Sequence, residues 1–196
     1  MQINLIRHFQ TQGNRVHQYV GRTDEPLAQC EENRKLLQRT YPQAQIIAAS
    51  PMKRCVQTAE WIYGRAPDIL CPQLREMDFG LFEGKTYEEL KTNPSYQRWL
   101  ESNGTLPFPE GEDVRDFIDR CKSGFEQLVN RLLQEQYTTV AVVVHGGTIM
   151  AILSEFSSPK SSFYDWQVKN GAGYRCRIDE TTWKDGEQKL MEIQRL

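Results

Sequence analysis

The chain has 196 residues, 24 of them basic and 26 acidic, for a net charge of -2. That length suits one well-buried core, a single domain over 1–196, and the balanced charge excludes broad attraction to nucleic acid or to an anionic membrane. No apolar run approaches the roughly 20 residues of a bilayer span and the first residues lack a signal-peptide apolar region, so a soluble, cytoplasmic protein is expected.

In chain order, residues 2–7 are a short β-branched run that predicts a buried strand, and residues 27–40 carry apolar side chains at helical spacing. A second strand candidate is 45–49. Ser50-Pro51 then reads as an N-cap followed by a proline at the first helical position, opening a helix through about Tyr63. The stretch 79–111 mixes Pro, Gly, aromatic and charged residues without a strong core period, and is expected to be a helical lid above the sheet. Residues 112–135 form the longest helical pattern, with Phe117, Cys121, Phe125, Leu128 and Leu132 on one face. The most apolar strand, 139–144, follows. Asp185-Gly186 predicts a hairpin turn between closing strands at 174–184 and 187–194. Strands alternating with helices imply an α/β fold, a three-layer sandwich whose mostly parallel sheet has helices on both faces, with the lid insertion and the C-terminal hairpin added. The hairpin edge leaves a homodimer open beside a monomer.

The five cysteines are odd in number, far apart and never in C-x-x-C pairs, and are expected to be reduced, structural thiols. His8, His17 and His145 have no H-x-H or H-E-x-x-H spacing, so no metal and no cofactor is expected.

Chemistry concentrates at the ends of predicted strands, where parallel sheets bind ligands. Arg7 and His8 end the first, and Thr11, Gly13, Asn14 and Arg15 add hydroxyl, amide and guanidinium donors within a few residues. The alternative is a polar pair that merely solvates a buried strand end. Arg54 falls in the first turn of the helix after the second strand, where a cation is electrostatically awkward unless an anion binds there. His145, Gly146 and Gly147 end the last, with glycines that let backbone approach a ligand closely. Each feature is weak alone; together they describe one site for an anion, most simply a phosphate.

The set Arg7-His8-x-x-Thr11, Asn14, Ser50-Pro51-x-x-Arg54-x-x-x-Thr58-Ala59, Leu74-Arg75-Glu76-Met77-Asp78-Phe79-Gly80 with Glu83-Gly84, and His145-Gly146-Gly147 resembles, in order and over nearly the full length, the histidine phosphatase superfamily in its phosphoglycerate-mutase-like branch. That branch includes mutases, broad-specificity phosphatases and α-ribazole phosphatase. The resemblance implies that His8 attacks phosphorus and that Arg7, Asn14, Arg54, His145 and Gly146 surround the phosphoryl oxygens. It places Glu76 as the proton donor to the leaving oxygen, although spacing leaves Glu83, Glu110 and Glu112 as alternatives. Thr11, Gly21 and Arg22 are expected at the substrate pocket, and His17 in a loop or at the pocket rim.

Three positions depart from the family pattern. Phe9 replaces the usual glycine after the nucleophile and is expected to crowd the phosphate pocket. Phe82 replaces a tryptophan, a milder apolar exchange, and Asp113 replaces the serine of a Gly-Glu-Ser run. The resemblance implies a metal-independent phosphomonoesterase acting on a small phosphorylated metabolite, closest in look to α-ribazole 5′-phosphate phosphatases, with a mutase-type phosphotransferase and a non-catalytic phospholigand-binding protein as the other readings. Tyr19, Tyr87, Tyr96, Arg98, Trp99, Phe108, Tyr164 and Trp166 either line a pocket for a ring-bearing group or, the preferred expectation, pack the lid onto the sheet.

Overall fold

The computed structural model describes residues 1–196. Its elements in chain order are β1 (Gln2–Arg7), α1 (Gln12–Arg15), α2 (Glu31–Leu37), β2 (Ile46–Ala49), α3 (Lys53–Tyr63), β3 (Ile69–Leu70), α4 (Tyr87–Leu90), α5 (Pro94–Glu101), α6 (Val114–Gln134), β4 (Thr139–Val144), α7 (Gly146–Phe156), β5 (Gly173–Arg177), α8 (Glu180–Lys184) and β6 (Met191–Arg195). The strands form one sheet in the order β3-β2-β4-β1-β5-β6, with β1 to β4 mutually parallel and β5 and β6 antiparallel at one edge. No helix is long and apolar enough to cross a membrane.

Alternation along the central strands divides the core. Ile3, Leu5, Val140, Val142 and Val144 face α6 and α7 with Phe125, Leu128, Ile149 and Ile152, while Ile6, Ile47, Ala141 and Val143 face the other way onto Cys55 and Ala59 of α3. Side chains on both faces of a parallel sheet need such double cover, which explains why β1 and β4 read as nearly continuous apolar runs. α6 begins where the Asp113 side chain accepts from the Arg115 N–H at 2.7 Å, so the residue that replaces the family serine is an N-cap.

The 79–111 stretch carries α4 and α5 and builds its own cluster, in which Phe82, Leu90, Tyr96 and Phe108 pack onto Phe117 and Cys121 of α6. Phe82 is thus a packing residue. Tyr19 meets this cluster through an OH···OH contact with Tyr96 at 2.8 Å, and Trp99 lies against Phe108. Trp166 packs on Tyr174 instead. These rings are mainly packing groups, while Tyr87 and Tyr164 are exposed.

Three element boundaries differ from expectation. α3 has Met52, not Ser50, at its N-cap, because the Ser50 hydroxyl is engaged with His145. The 27–40 helix shrinks to α2, since Leu27 bridges to Thr11 and the Ala28 N–H donates to the Gln10 carbonyl; tertiary pairing overrides the helical spacing there. The closing strands do pair antiparallel, but Asp185-Gly186 is no hairpin turn. The Asp179 side chain caps α8 by accepting from the Thr181 and Thr182 N–H groups, and burial of Trp183 in the main core holds that helix between the strands.

Candidate active site

β1 and β4 are neighbours, yet the chain leaves β1 toward β2 and leaves β4 toward β5. Their carboxyl ends therefore flank the crevice of a topological switch point, where α/β sheets bind ligands. Arg7 is level with Val144, so the next residues, His8 and His145, emerge side by side with ring centroids 5.2 Å apart.

His8 is buried, and its Nδ1 lies 2.6 Å from the Phe9 carbonyl oxygen. A carbonyl only accepts, so Nδ1 carries the proton and Nε2 keeps a free lone pair. Burial, with the nearby charges of Arg54 and Arg7, holds the imidazole well below its ordinary pKa, so it is neutral. A neutral ring of fixed tautomer is a competent nucleophile.

His145 is set by different partners. Arg54 Nε donates to its Nδ1 at 3.2 Å, so the proton is on Nε2 and is shared with Ser50 Oγ at 2.8 Å. Burial and Arg54 depress this pKa as well. Arg54 is fully buried and donates also to the carbonyls of Thr23 and Gly21, at 2.6 and 2.7 Å. No carboxylate forms an ion pair with it, and Glu76 is an acid close enough to feel its charge.

Arg7 donates through Nη1 to the Val168 carbonyl at 2.7 Å, while its buried Nε has no partner. A Cβ built on Gly146 would stand 3.2 Å from that guanidinium, which explains the close approach of glycine backbone. Asn14 Oδ1 accepts from the Thr11 N–H at 3.3 Å and from Asn170 Nδ2 at 3.2 Å. Its own amide N–H₂ remains for a ligand. Two cations and an orphaned donor facing neutral histidines make a cradle for an oxyanion.

Glu76 is half-buried at the edge of this cradle. Its carboxyl accepts from the Gly147 N–H at 3.1 Å and from its neighbour Met77 N–H at 3.1 Å, and burial raises its pKa despite those bonds and the two arginines. A carboxyl held toward its protonated form suits proton donation. Beside it opens a cavity of about 320 Å³ whose lining includes Gly21, Arg22, Arg75, Asp78 and Glu112, with Met52 the hydrophobic member.

A family model described as histidine phosphatase superfamily (branch 1) matches residues 3–186. The chain belongs to that superfamily. As an enzyme of the histidine phosphatase type, it is 28% identical over 185 residues to an uncharacterized phosphatase, PhoE, of Bacillus subtilis (strain 168), covering 92% of this chain and 90% of that one. Its fold is shared with the alpha-ribazole phosphatase from Shigella flexneri, at a TM-score of 0.73 and 23% identity over 91% of each chain. It is also similar to the phosphoglycerate mutase from Thermus thermophilus, with a TM-score of 0.66 and 26% identity over 100% of this chain and 99% of that one.

Of the expected residues, this histidine phosphatase brings Arg7, His8, Asn14, Arg54, Glu76, His145 and Gly146 together. Gly21 and Arg22 line the adjoining cavity, where Arg22 pairs with Asp78 at 3.4 Å. Thr11 is elsewhere: it is the N-cap of α1, accepting from the Asn14 N–H, and so positions Asn14 rather than touching the cavity. Arg15 and His17 are exposed, with Arg15 bound to Gln12. Glu83 holds the Gly21 and Thr23 N–H groups at 2.8 and 2.9 Å, bracing the two carbonyls that bind Arg54.

Phe9 does not crowd the phosphate cradle. Its ring is fully buried between Tyr41 and Trp61 on the far side of the backbone, and its N–H donates to Thr58 Oγ1 at 2.9 Å. β1 has ended at Arg7, and α3 decides the placement: Thr58 takes the Phe9 N–H and Trp61, one turn on, takes the ring. Sequence reading missed Ser50, Thr58 and Asn170 as site partners. Ser50 and Thr58 stood in the motif that carries Arg54, while Asn170, which also donates to the His8 carbonyl at 3.0 Å, has no local signal.

Proposed function

We propose that the protein is a metal-independent phosphomonoesterase that hydrolyses a small phosphorylated metabolite through a phosphohistidine. His8 Nε2 attacks phosphorus and the bond to the leaving oxygen breaks as Glu76 gives that oxygen its proton. The Glu76 carboxylate then takes a proton from water, whose oxygen attacks phosphorus, and the P–N bond breaks to release inorganic phosphate and neutral His8. Arg7, Arg54 and the Asn14 amide balance the phosphoryl charge, and His145 exchanges Ser50 for a phosphoryl oxygen at Nε2. Such fixed positive charge does the electrostatic work that a metal ion does in other phosphoryl-transfer sites.

The observation that carries this reading is the 2.6 Å contact of His8 Nδ1 with the Phe9 carbonyl, which leaves Nε2 as the reactive atom. Phosphate release from p-nitrophenyl phosphate in EDTA is expected, with a base-stable phosphoenzyme that His8→Ala abolishes. Turnover that survives His8→Ala would overturn the mechanism. The 74–84 run favours α-ribazole 5′-phosphate within the class, and a screen of nucleotides, sugar phosphates and α-ribazole phosphate tests that choice. A mutase-type transfer is the alternative supported by the similarity to the Thermus mutase; isomerisation of 3-phosphoglycerate with its bisphosphate primer, without phosphate release, would favour it.

A further inference from the structure

Arg120, on α6, uses its whole guanidinium on one task. Nε and Nη2 grip Glu112 Oε1 and Oε2, each at 2.8 Å. Nη1 donates to the carbonyls of Gln73 and Arg75 at 2.5 and 3.1 Å, and Nη2 donates further to the carbonyl of Glu76 at 3.4 Å. All five N–H groups are thus directed at acceptors, three of them backbone carbonyls of the loop that carries Glu76. Glu112 completes the frame: its own N–H donates to the Asp78 carbonyl at 2.9 Å and its Oε2 accepts from the Asp78 N–H at 3.4 Å. Both side chains of the pair are only 19% exposed. The loop from Gln73 to Asp78 is therefore bound on either side of Glu76 by one ion pair, while the Glu76 carboxyl itself makes no hydrogen bond to either member.

We infer that the Arg120–Glu112 pair is a positioning clasp for Glu76, setting the reach of its carboxyl to the leaving oxygen. This rests on the phosphomonoesterase reading and extends it to two residues outside the cradle. Both residues line the cavity beside Glu76 and neither hydrogen-bonds to Arg7, His8, Asn14, Arg54 or His145, so loss of the clasp is expected to act on proton transfer and not on phosphate binding. Lysine cannot replace Arg120, because an ammonium has three N–H groups and no planar fork.

The test uses leaving groups that need the proton to different degrees. p-Nitrophenolate departs without protonation, whereas an alkoxide such as that of glycerol phosphate requires it. The readout is kcat/KM, which ends at phosphorylation of His8 and so omits hydrolysis of the phosphoenzyme. For Arg120→Lys and for Glu112→Gln, kcat/KM on glycerol phosphate is expected to fall about tenfold or more, part of the range general acid catalysis contributes, and on p-nitrophenyl phosphate by about threefold at most. Glu112→Gln keeps the size of the clasp, and melting curves establish that each variant is folded. Equal losses on both substrates, or no loss on either, would overturn the clasp. The underlying reading fails separately: then the native enzyme turns over neither ester, or Glu76→Gln shows no dependence on the leaving group.

Discussion

Glu76 Oε2 accepts a hydrogen bond from the Gly147 N–H at 3.1 Å, tying the acid on its loop to the turn that follows His145. A Cβ on residue 147 would run into the Glu76 carboxyl. Gly147→Ala is therefore expected to displace the acid and lower kcat/KM about tenfold on alkyl phosphates, the scale of a misplaced proton donor, with inorganic phosphate inhibiting as in the native enzyme. Weakened phosphate inhibition would place the damage in the cradle instead.

The activity profile should carry both titrating groups. His8 must be neutral and Glu76 protonated for the first step. Because burial and two arginines lower His8 from 6.5 and burial raises Glu76 from 4.5, the acid limb of kcat/KM lies below the first figure and the alkaline limb above the second. Glu76→Gln should remove the alkaline limb while lowering the rate. An alkaline limb unchanged in that variant would assign it to another group.

Folding stability should depend on the same groups with a definite sign. His8 and His145 stay neutral in the folded protein below 6.5, where the unfolded chain takes up protons, so stability is full above 6.5 and falls as pH drops toward the folded values. Each histidine contributes about 1.4 kcal/mol per pH unit within that window. Glu76 acts oppositely, losing stability as pH rises from 4.5 toward its raised folded value. Melting temperatures of His8→Asn across this range should show a shallower acid slope than the native protein; identical slopes would refute the assignment.

Phe9→Ala should be a stability variant and not a catalytic one. Removing a fully buried ring packed on Tyr41 and Trp61 is expected to cost about 3–5 kcal/mol. Below its lowered melting temperature, kcat should stay within about twofold, because the two backbone bonds of residue 9 remain; a stable but inactive variant would contradict the placement of the ring.

Arg7 keeps a buried Nε without a protein partner. Inorganic phosphate or vanadate is expected to satisfy it, raising stability by about 2.7 kcal/mol at 100 times Kd. Arg7→Gln should abolish that shift in a thermal melt. Full stabilisation of the variant by phosphate would remove Arg7 from the binding site.

How much of this was readable from residues alone follows from where the signals lie. β1, β4 and their terminal histidines were legible because buried parallel strands advertise themselves as apolar runs, and ligands gather at strand ends. Arg54 was legible as a charge in the wrong place for its helix. Ser50 was misread, since a serine before proline fits a cap equally well and only tertiary structure offers it His145. Phe9 was misread because the groups that take its ring and its N–H, Tyr41, Trp61 and Thr58, stand more than thirty residues away in sequence and meet it only in the folded chain. Trp183 turned a predicted hairpin into a helix by finding the core. Arg120 and Glu112 lay in an amphipathic pattern that says which residues face outward, not which loop an outward cation will hold.

The central place of β1 has a consequence for biosynthesis. Its two sheet neighbours, β4 and β5, both come from the last third of the chain. As the polypeptide emerges, the strand that ends at His8 is made before its partners and waits unpaired while β2 and β3 are produced. His8 and His145 can meet only once β4 has been synthesised, so nascent fragments expose an apolar strand but hold no assembled histidine pair.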